Sequence, residues 1–399
     1  MTQHLKLFTP GPGDVEDEVL AAMAQPVLRH YGPEWMKIYN DTLSLLRQFF
    51  KTKNELFMVP GPASALLDMA IGSLLDTGQT MIVGTNGFFG DRLLDIAGCY
   101  GIKIVPFTAP LGKPLDPAVL GRLLREHPEA RVVALVHHET GTTVLNPLCE
   151  LAQVTSRAGR VLVVDTVSSM GGVELDVDGW GVDVCVTSAN KCLGALPGIG
   201  FISVGPAAWE QLVHSSGAHH GWYLNLRTWR TFLQEWGSWH PSPVTLPVNN
   251  ILAVRVGMQK ILEAGLEANF RRYAFASQAV RAGLRAVGYE MFVPDAYAAP
   301  IVTGVKARPE FEVAELSNWL VSERGLAIGG GLGELAGKMF RVGHLGKAAE
   351  RDYLVEFLFA MEEFLRYKGL DVPVGAALVG LSASPEVVGS LGLRSGGRY

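Results

Sequence analysis

Residues 161–169 read VLVVDTVSS, and residues 182–191 read VDVCVTSANK. Each stretch begins as a short, valine-rich apolar run, which is typical of a strand buried on both faces of a sheet. Each then turns polar, with Asp165 after the first run and Lys191 after the second. Ligands of open α/β sheets bind beyond the carboxyl ends of the strands, so these polar residues mark a candidate site.

Similar apolar runs occur on both sides of these two stretches, at residues 56–59, 81–83, 102–106, 131–136 and 200–204. Segments with helical spacing of apolar residues lie between the runs, at residues 65–75, 91–100, 117–126 and 148–158. Alternation of strands and helices predicts a mostly parallel sheet covered by helices. We therefore predict an α/β fold with a seven-stranded, mostly parallel sheet in a large domain.

The remaining chain predicts a second, smaller α/β domain. After helices at 17–23 and 35–50 and a long helix at 246–264, the pattern gives helices near 270–287, 311–324 and 347–367 and strands near 301–305 and 339–342. A glycine-rich loop is predicted at 329–333. We predict an N-terminal arm at 1–20, a large domain at 21–265, a small domain at 266–370 and a flexible tail at 371–399.

The composition and the sequence patterns argue against several classes of function. The 399 residues are 48% hydrophobic, which is ample for one large core and a second lobe. A net charge of −5 gives no basic footprint for nucleic acid. The four cysteines form no CxxC pair, and the ten histidines lack metal-ligand spacing, so we expect no metal site. Without an apolar segment of spanning length or a signal-peptide pattern, we expect a cytoplasmic protein with no membrane partner.

Asp165 and Lys191 allow two interpretations when they are considered alone. Buried opposite charges at neighbouring strand ends are costly unless they are paired or used in chemistry. They fit a structural ion pair. They fit equally a nucleophilic lysine whose pKa is lowered by its surroundings.

A pyridoxal-5′-phosphate (PLP) site needs a lysine, an acid, a phosphate cradle and an aromatic cover, and the sequence offers a candidate for each. Residues 61–64, GPAS, follow the run at 56–59 and open a helix, whose free N–H groups suit a phosphate. Alone, this tetrapeptide is only a turn and a helix cap. Residues 86–90, NGFFG, follow the run at 81–83 and provide either the aromatic cover or core residues.

The set of motifs resembles the class V aminotransferase family of fold type I PLP enzymes, and most closely the alanine/serine–glyoxylate aminotransferases. The resemblance extends over about residues 5 to 367. Its motifs, in order, are TPGP at 9–12, HET at 138–140, DTVSS at 165–169, SANK at 188–191 and FRVG at 340–343. The segment at 188–192 is also similar to the 2-aminoethylphosphonate–pyruvate aminotransferases.

The resemblance implies PLP as the cofactor, with Lys191 as the Schiff-base lysine that moves a proton between Cα and C4′. Asp165 would pair with the pyridinium nitrogen. The other implied contacts are Val167 and Phe89 on the two ring faces, Thr140 near the ring hydroxyl, and Pro62, Ala63, Ser64 and Asn190 along the phosphate. Phe89 stands where the family often has tryptophan, and Pro62 has no N–H to donate.

The resemblance also implies a substrate site. Arg341 would bind a substrate carboxylate through its guanidinium fork, although an arginine can also be a plain surface residue. The loop around Gly11 would lie near the substrate. His30 and Tyr31 either shape specificity or pack the helix that follows them. Thr245 matches a position that contacts the phosphate of the neighbouring subunit, which implies a homodimer with shared active sites.

The implied activity is ping-pong transfer of the amino group of alanine or serine to glyoxylate or another small 2-oxo acid, through pyridoxamine phosphate. The alternatives are a 2-aminoethylphosphonate–pyruvate aminotransferase, or a lyase or epimerase on the same scaffold. A cysteine desulfurase needs a mobile cysteine from the small lobe, and no cysteine follows Cys192. A non-catalytic PLP-fold protein is disfavoured because both Lys191 and Asp165 are present.

Overall fold

A computed structural model describes residues 5–216 and 221–382. The strands are β1 (Lys6–Phe8), β2 (Glu55–Pro60), β3 (Thr80–Thr85), β4 (Lys103–Thr108), β5 (Ala130–Val136), β6 (His138–Glu139), β7 (Val144–Leu145), β8 (Val161–Asp165), β9 (Val184–Ser188), β10 (Ile199–Val204), β11 (Val302–Lys306), β12 (Leu326–Gly330) and β13 (Met339–Gly343). The helices are α1 (Asp17–Met23), α2 (Pro33–Phe50), α3 (Ala63–Leu74), α4 (Phe88–Cys99), α5 (Pro117–Glu126), α6 (Leu148–Arg157), α7 (Val177–Trp180), α8 (Pro206–Val213), α9 (Leu226–Trp236), α10 (Val248–Ala264), α11 (Leu266–Ala286), α12 (Val313–Trp319), α13 (Arg351–Tyr367) and α14 (Val379–Ser382).

The chain divides into two compact units. The large unit is Val15–Glu263, and the small unit combines Met1–Asp14 with Ala264–Tyr399. The predicted arm at 1–20 is thereby split, since β1 belongs to the small unit and α1 to the large one.

The large unit is built on a seven-stranded sheet with the strand order β2-β10-β9-β8-β5-β3-β4. Strand β10 runs antiparallel to both of its neighbours, and the other adjacent pairs are parallel. The central strands β8 and β9 are buried along their whole length, as their valine-rich sequences require. The predicted mostly parallel, seven-stranded sheet is confirmed.

Helix α4 begins earlier than its sequence pattern predicts. The predicted helix started at residue 91, whereas α4 starts at Phe88 with Gly87 as its N-cap residue. Both aromatic residues of the NGFFG motif therefore lie in the first helical turn rather than in a loop after β3. The carboxylate of Glu139 accepts hydrogen bonds from the N–H groups of Phe89 and Gly90, which fixes this start.

The small unit contains a four-stranded sheet with the order β1-β12-β13-β11. Strand β1 runs parallel to β12, so Lys6–Phe8 forms a strand of this sheet. The predicted glycine-rich loop is wrong in part, because Gly329 and Gly330 end β12 and pair with β13. A Cβ atom at Gly329 would lie 2.4 Å from Pro10 Cδ, so this glycine allows the N-terminal segment to pack closely.

The described part of the predicted flexible tail is ordered instead. The buried carboxylate of Glu362 in α13 accepts hydrogen bonds from the N–H groups of Gly375 and Ala377, at 2.9 and 2.6 Å. Ala377 is itself fully buried. Chain packing on α13 therefore continues past residue 371, while residues 383–399 lie outside the described part of the chain.

Within the described residues, no helix combines the length and apolar character needed to cross a bilayer. The same residues contain no group of three or more histidine, cysteine, aspartate or glutamate side chains arranged to hold a metal ion.

Candidate active site

Asp165 ends β8 at the carboxyl edge of the large sheet. Its side chain is only 6% exposed, and its Oδ1 accepts a hydrogen bond of 2.8 Å from the Val167 N–H. Burial raises the pKa of this carboxyl to about 6, while the Val167 N–H and the positive charges of Lys191 and Arg92 act in the opposite direction. The residue is a buried acid whose ionised form depends on nearby positive charge.

Lys191 follows β9, the neighbour of β8 in the sheet, and its charge is close enough to stabilise ionised Asp165. The two residues line one cavity of about 350 Å³ in the large unit, a size typical of small-molecule sites. The sequence-predicted residues that line this cavity are Pro62, Ala63, Ser64, Phe89, Thr140, Asp165, Val167, Asn190 and Lys191. The structure therefore brings together nine side chains from five separate stretches of the chain.

The candidate phosphate cradle is the turn between β2 and α3. Pro62 is the N-cap residue of α3, and the Gly61 N–H donates to the Gly198 carbonyl at 3.0 Å. Gly61 has a φ of 141°, a value that favours glycine in this turn. The first N–H groups of α3 have no partner within the helix, so the cavity receives the positive end of the helix dipole.

Phe89 forms an aromatic wall of the cavity, and Glu139 holds it in place. Glu139 is fully buried and accepts hydrogen bonds from the N–H groups of Phe89, Gly90 and Gly141, at 3.0, 2.9 and 2.7 Å. Burial raises the pKa of this carboxyl to about 7, the charge of Asp165 adds to the rise, and the hydrogen bonds from the three N–H groups partly oppose it. A Cβ atom at Gly87 would lie 2.7 Å from Glu139 Cγ, which explains the glycine before the two phenylalanines.

Sequence reasoning missed other side chains that line the cavity, notably Arg92, His138 and Ser168. Ser168 accepts a hydrogen bond of 2.6 Å from Thr140 Oγ1, and its carbonyl lies 3.1 Å from Nδ1 of His138. The spacing of Arg92, three residues after Phe89 on one helix, would have pointed to it once α4 was known to begin at Phe88. His138 and Ser168 lie inside motifs already quoted, HET and DTVSS.

His30, Tyr31 and Thr245 form a separate cluster in the large unit and are not among the residues that line the cavity. Thr245 Oγ1 lies 3.4 Å from Nε2 of His30, whose ring centroid is 5.6 Å from that of Tyr31. The His30 ring also lies 5.0 Å from the ring of His240. Thr245 is exposed and Tyr31 is 46% exposed, so this cluster presents polar and aromatic groups at the surface of the large unit.

Arg341 and Gly11 both belong to the small unit. Arg341 lies in β13, is 6% exposed, and donates from Nε to the Gly330 carbonyl at 2.8 Å. It is therefore not a plain surface arginine. The segment before Gly11 packs on the same strand, since a Cβ atom at Gly343 would lie 1.9 Å from the Thr9 carbonyl oxygen.

The groups that line the cavity fit PLP in their chemistry. A phosphorylated pyridine ring requires an acid for its ring nitrogen, a lysine for its aldehyde, an aromatic neighbour and donors for its phosphate. Asp165, Lys191, Phe89 and the start of α3 supply these groups, all from the large unit.

Comparison with known proteins gives a consistent result. Residues 15–296 match the family described as Aminotransferase class-V. An uncharacterised aminotransferase of Methanocaldococcus jannaschii is 33% identical over 92% of this chain and 94% of its own length. A pyridoxamine–pyruvate transaminase of Mesorhizobium japonicum is 28% identical over 93% of this chain and 94% of its own. The crystal structure of an alanine–glyoxylate aminotransferase from Nostoc sp. superposes with a TM-score of 0.87 at 30% identity, over 92% of this chain and 96% of that one.

Proposed function

This chain belongs to the class V aminotransferase family, and we propose that it moves the amino group of alanine or serine to glyoxylate or another small 2-oxo acid. The family is PLP-dependent, and we propose PLP as the cofactor of this chain. The observation that carries the proposal is the cavity shared by Lys191 and the buried Asp165 at the start of α3.

PLP, when bound, supplies an electron sink for the bond that breaks at the substrate Cα. Lys191 would attach the cofactor through Nζ; once the substrate amine has displaced it, the freed Nζ would take the proton from the substrate Cα and deliver it to C4′. Ionised Asp165 pairs with the ring nitrogen and keeps it protonated. Burial works against this ionisation, so the pairing depends on the positive charge that Lys191 and Arg92 already place near the carboxylate.

The remaining cavity residues orient the cofactor. Val167 and Phe89, which line the cavity, would pack on the two faces of the ring. Glu139 maintains the position of Phe89 through the start of α4. The hydroxyl of Thr140, held by Ser168, is the proposed partner of the ring hydroxyl. Asn190 and the turn at Pro62 and Ala63 line the phosphate.

Arg341 is the proposed partner of the substrate carboxylate, with Gly11 near the substrate. Arg341 is held in β13 by the bond from Nε to Gly330, and a planar guanidinium matches a carboxylate in a bidentate fashion. His30 and Tyr31 are proposed to influence specificity from the neighbouring subunit, because they lie beside Thr245 and outside the cavity of their own chain.

A second candidate is transfer from pyridoxamine to pyruvate, which is the activity named for the Mesorhizobium relative. The observation that favours it is Pro62, because a proline at the helix start removes one donor from the phosphate cradle. A B6 vitamer without a phosphate does not need that donor, so the proline would not weaken its binding. 2-Aminoethylphosphonate–pyruvate transfer and a lyase or epimerase activity complete the alternatives.

The test mixes the purified protein, loaded with PLP, with one amino donor at a time and no acceptor. Alanine, serine, aspartate and 2-aminoethylphosphonate form the panel, and the near-visible absorbance of the bound cofactor is followed. We expect alanine or serine to bleach the band and glyoxylate to restore it.

Other results assign the alternatives. Bleaching by 2-aminoethylphosphonate alone selects the phosphonate enzyme, and amino transfer from free pyridoxamine to pyruvate selects the second candidate. Release of ammonia or racemisation of the donor, with no pyridoxamine phosphate formed, selects a lyase or epimerase. Absence of any cofactor band after PLP is added contradicts the proposal.

A further inference from the structure

Arg92 occupies a position between the aromatic wall and the phosphate cradle of the cavity. Its guanidinium lies 4.8 Å from the ring centroid of Phe89, close enough for a cation–π contact. Its Nη1 donates a hydrogen bond of 3.0 Å to the hydroxyl oxygen of Ser64, the second residue of α3. One side chain thus connects the starts of α4 and α3.

The charge of Arg92 is not neutralised by the protein. Within residues 5–216 and 221–382, no carboxylate forms an ion pair with this guanidinium, and the bond to Ser64 uses one of its five N–H groups. The positive charge nevertheless reaches the cavity, because it lowers the pKa of Asp165. A half-buried cation with most of its donors unused is a site that an anion would complete.

The cradle itself is short of donors. Pro62 has no N–H, and the N–H of Ala65 already donates to the Pro62 carbonyl at 2.9 Å. The N–H groups of Ala63 and Ser64 and the Ser64 hydroxyl remain. Since the Ser64 oxygen accepts from Arg92, its own proton is directed toward another acceptor.

We infer that Arg92, together with Ser64, binds the phosphate of the cofactor and replaces the donor that Pro62 lacks. A guanidinium matches phosphate oxygens in geometry and charge, and the bond to Ser64 orients it beforehand. The inference rests on the proposed function, because it assumes that the cavity holds a phosphorylated B6 vitamer. The competing role for Arg92 is to orient the Phe89 ring alone.

The test compares two ligands that differ only in the phosphate. Apoprotein is titrated with PLP and with pyridoxal, and the dissociation constants are measured by quenching of tryptophan fluorescence. We expect Arg92→Gln to weaken PLP binding by roughly 10- to 100-fold, the usual cost of a lost hydrogen bond to a charged group, and to weaken pyridoxal binding far less, because only PLP carries the phosphate. Arg92→Lys keeps the charge and should lose less. Arg125→Gln, at an exposed arginine in the last turn of α5, should change neither constant.

A second variant keeps the test valid if Arg92→Gln does not fold. Ser64→Ala removes the oriented hydroxyl and should also weaken PLP binding selectively. Equal weakening of PLP and pyridoxal would overturn the inference, since Arg92 would then act on the ring through Phe89. Equal affinity of the unaltered protein for the two ligands would overturn it as well. Binding of neither ligand would instead contradict the proposed function.

Discussion

At the scale of single residues, Lys191 and Asp165 are the two proposed catalytic residues. Their proposed roles differ because their side chains donate and accept different groups. Lys191 has a nucleophilic nitrogen that can gain and lose a proton. Asp165 can only accept hydrogen bonds when ionised, and its burial makes that ionised form dependent on nearby cations. Substitutions that keep one property and remove another therefore distinguish the two roles.

We expect Lys191→Ala to abolish amino transfer, because no other group would attach the cofactor and carry the proton. Lys191→Arg is the matched control, since it keeps a positive charge near Asp165 but cannot act as a nucleophile at neutral pH. Both variants should lack steady-state turnover while still taking up PLP, as measured by equilibrium dialysis. Activity in Lys191→Arg would mean that only the charge of Lys191 matters.

Because Asp165 is a buried acid with a raised pKa, we expect the affinity for PLP to depend on pH. Because burial raises its pKa to about 6, the carboxyl of the apoprotein becomes protonated as the pH falls below that value and can no longer pair with a protonated ring nitrogen. The ratio of PLP affinity between the unaltered protein and Asp165→Asn should therefore be large above pH 7 and fall toward one below pH ~6. Taking the ratio cancels titration of the phosphate itself. A ratio independent of pH would show that Asp165 does not titrate in this range.

The sequence predicts some residues of the candidate site and misses others, and the reason lies in where each residue stands relative to its helix or strand. The apolar pattern predicts where the strands before Asp165 and Lys191 end, and in the structure both residues follow strand ends and line one cavity. Arg92 was missed because its position depends on where α4 begins. That start depends on Glu139, which is 49 residues away in sequence from Gly90, and such a long-range hydrogen bond leaves no local pattern.

At the scale of elements, the N-terminal segment and the strand of Arg341 form one assembly within the small unit. Strand β1 pairs with β12, and β12 pairs with β13, which carries Arg341. The sequence suggested an arm because Pro10, Gly11 and Pro12 rule out a helix, but three residues of β1 are too few for a strand pattern to be recognised. The glycines at 329 and 343 are explained by this packing, since each faces the backbone or ring of the segment at 9–10.

This packing predicts the effect of adding a single methyl group. Gly343→Ala would bring a Cβ atom to 1.9 Å from the Thr9 carbonyl oxygen, so the N-terminal segment must move. We expect the free energy of unfolding to fall by about 1–3 kcal/mol, the usual cost of overpacking, measured by urea denaturation. Gly330→Ala is the matched control, because a Cβ atom there meets nothing within 4 Å. Equal stability of the two variants would contradict the close packing of this segment.

At the scale of the whole molecule, exposed aromatic residues of the large unit suggest where a second copy binds. Ring contacts run from Trp222 through Phe232, Trp236, Trp239 and His240 to His30, with centroid separations of 4.7 to 5.9 Å. Trp222, Trp236 and Trp239 are 57%, 38% and 43% exposed, which is unusual for such large side chains. Thr245 lies beside the His30 end of this series. We therefore propose this face as the homodimer interface, with Thr245 directed to the partner's cofactor phosphate.

Mixed dimers test the proposal, because they show whether Thr245 and Lys191 of one chain serve the same active site. A Lys191→Ala subunit paired with a Thr245→Ala subunit regains one intact site only if Thr245 acts in the partner. We expect Lys191→Ala alone to be inactive and Thr245→Ala alone to be weakly active at limiting PLP. After dissociation and reassociation, the mixture should recover roughly a quarter of the unaltered activity, since about half of the dimers would be hybrids with one intact site each. The control mixes Lys191→Ala with Asp165→Asn, which affect the same cavity and should not complement. If the Thr245 mixture also fails to complement although sequential affinity capture of differently tagged subunits shows hybrid dimers, Thr245 serves its own subunit and the shared site is excluded.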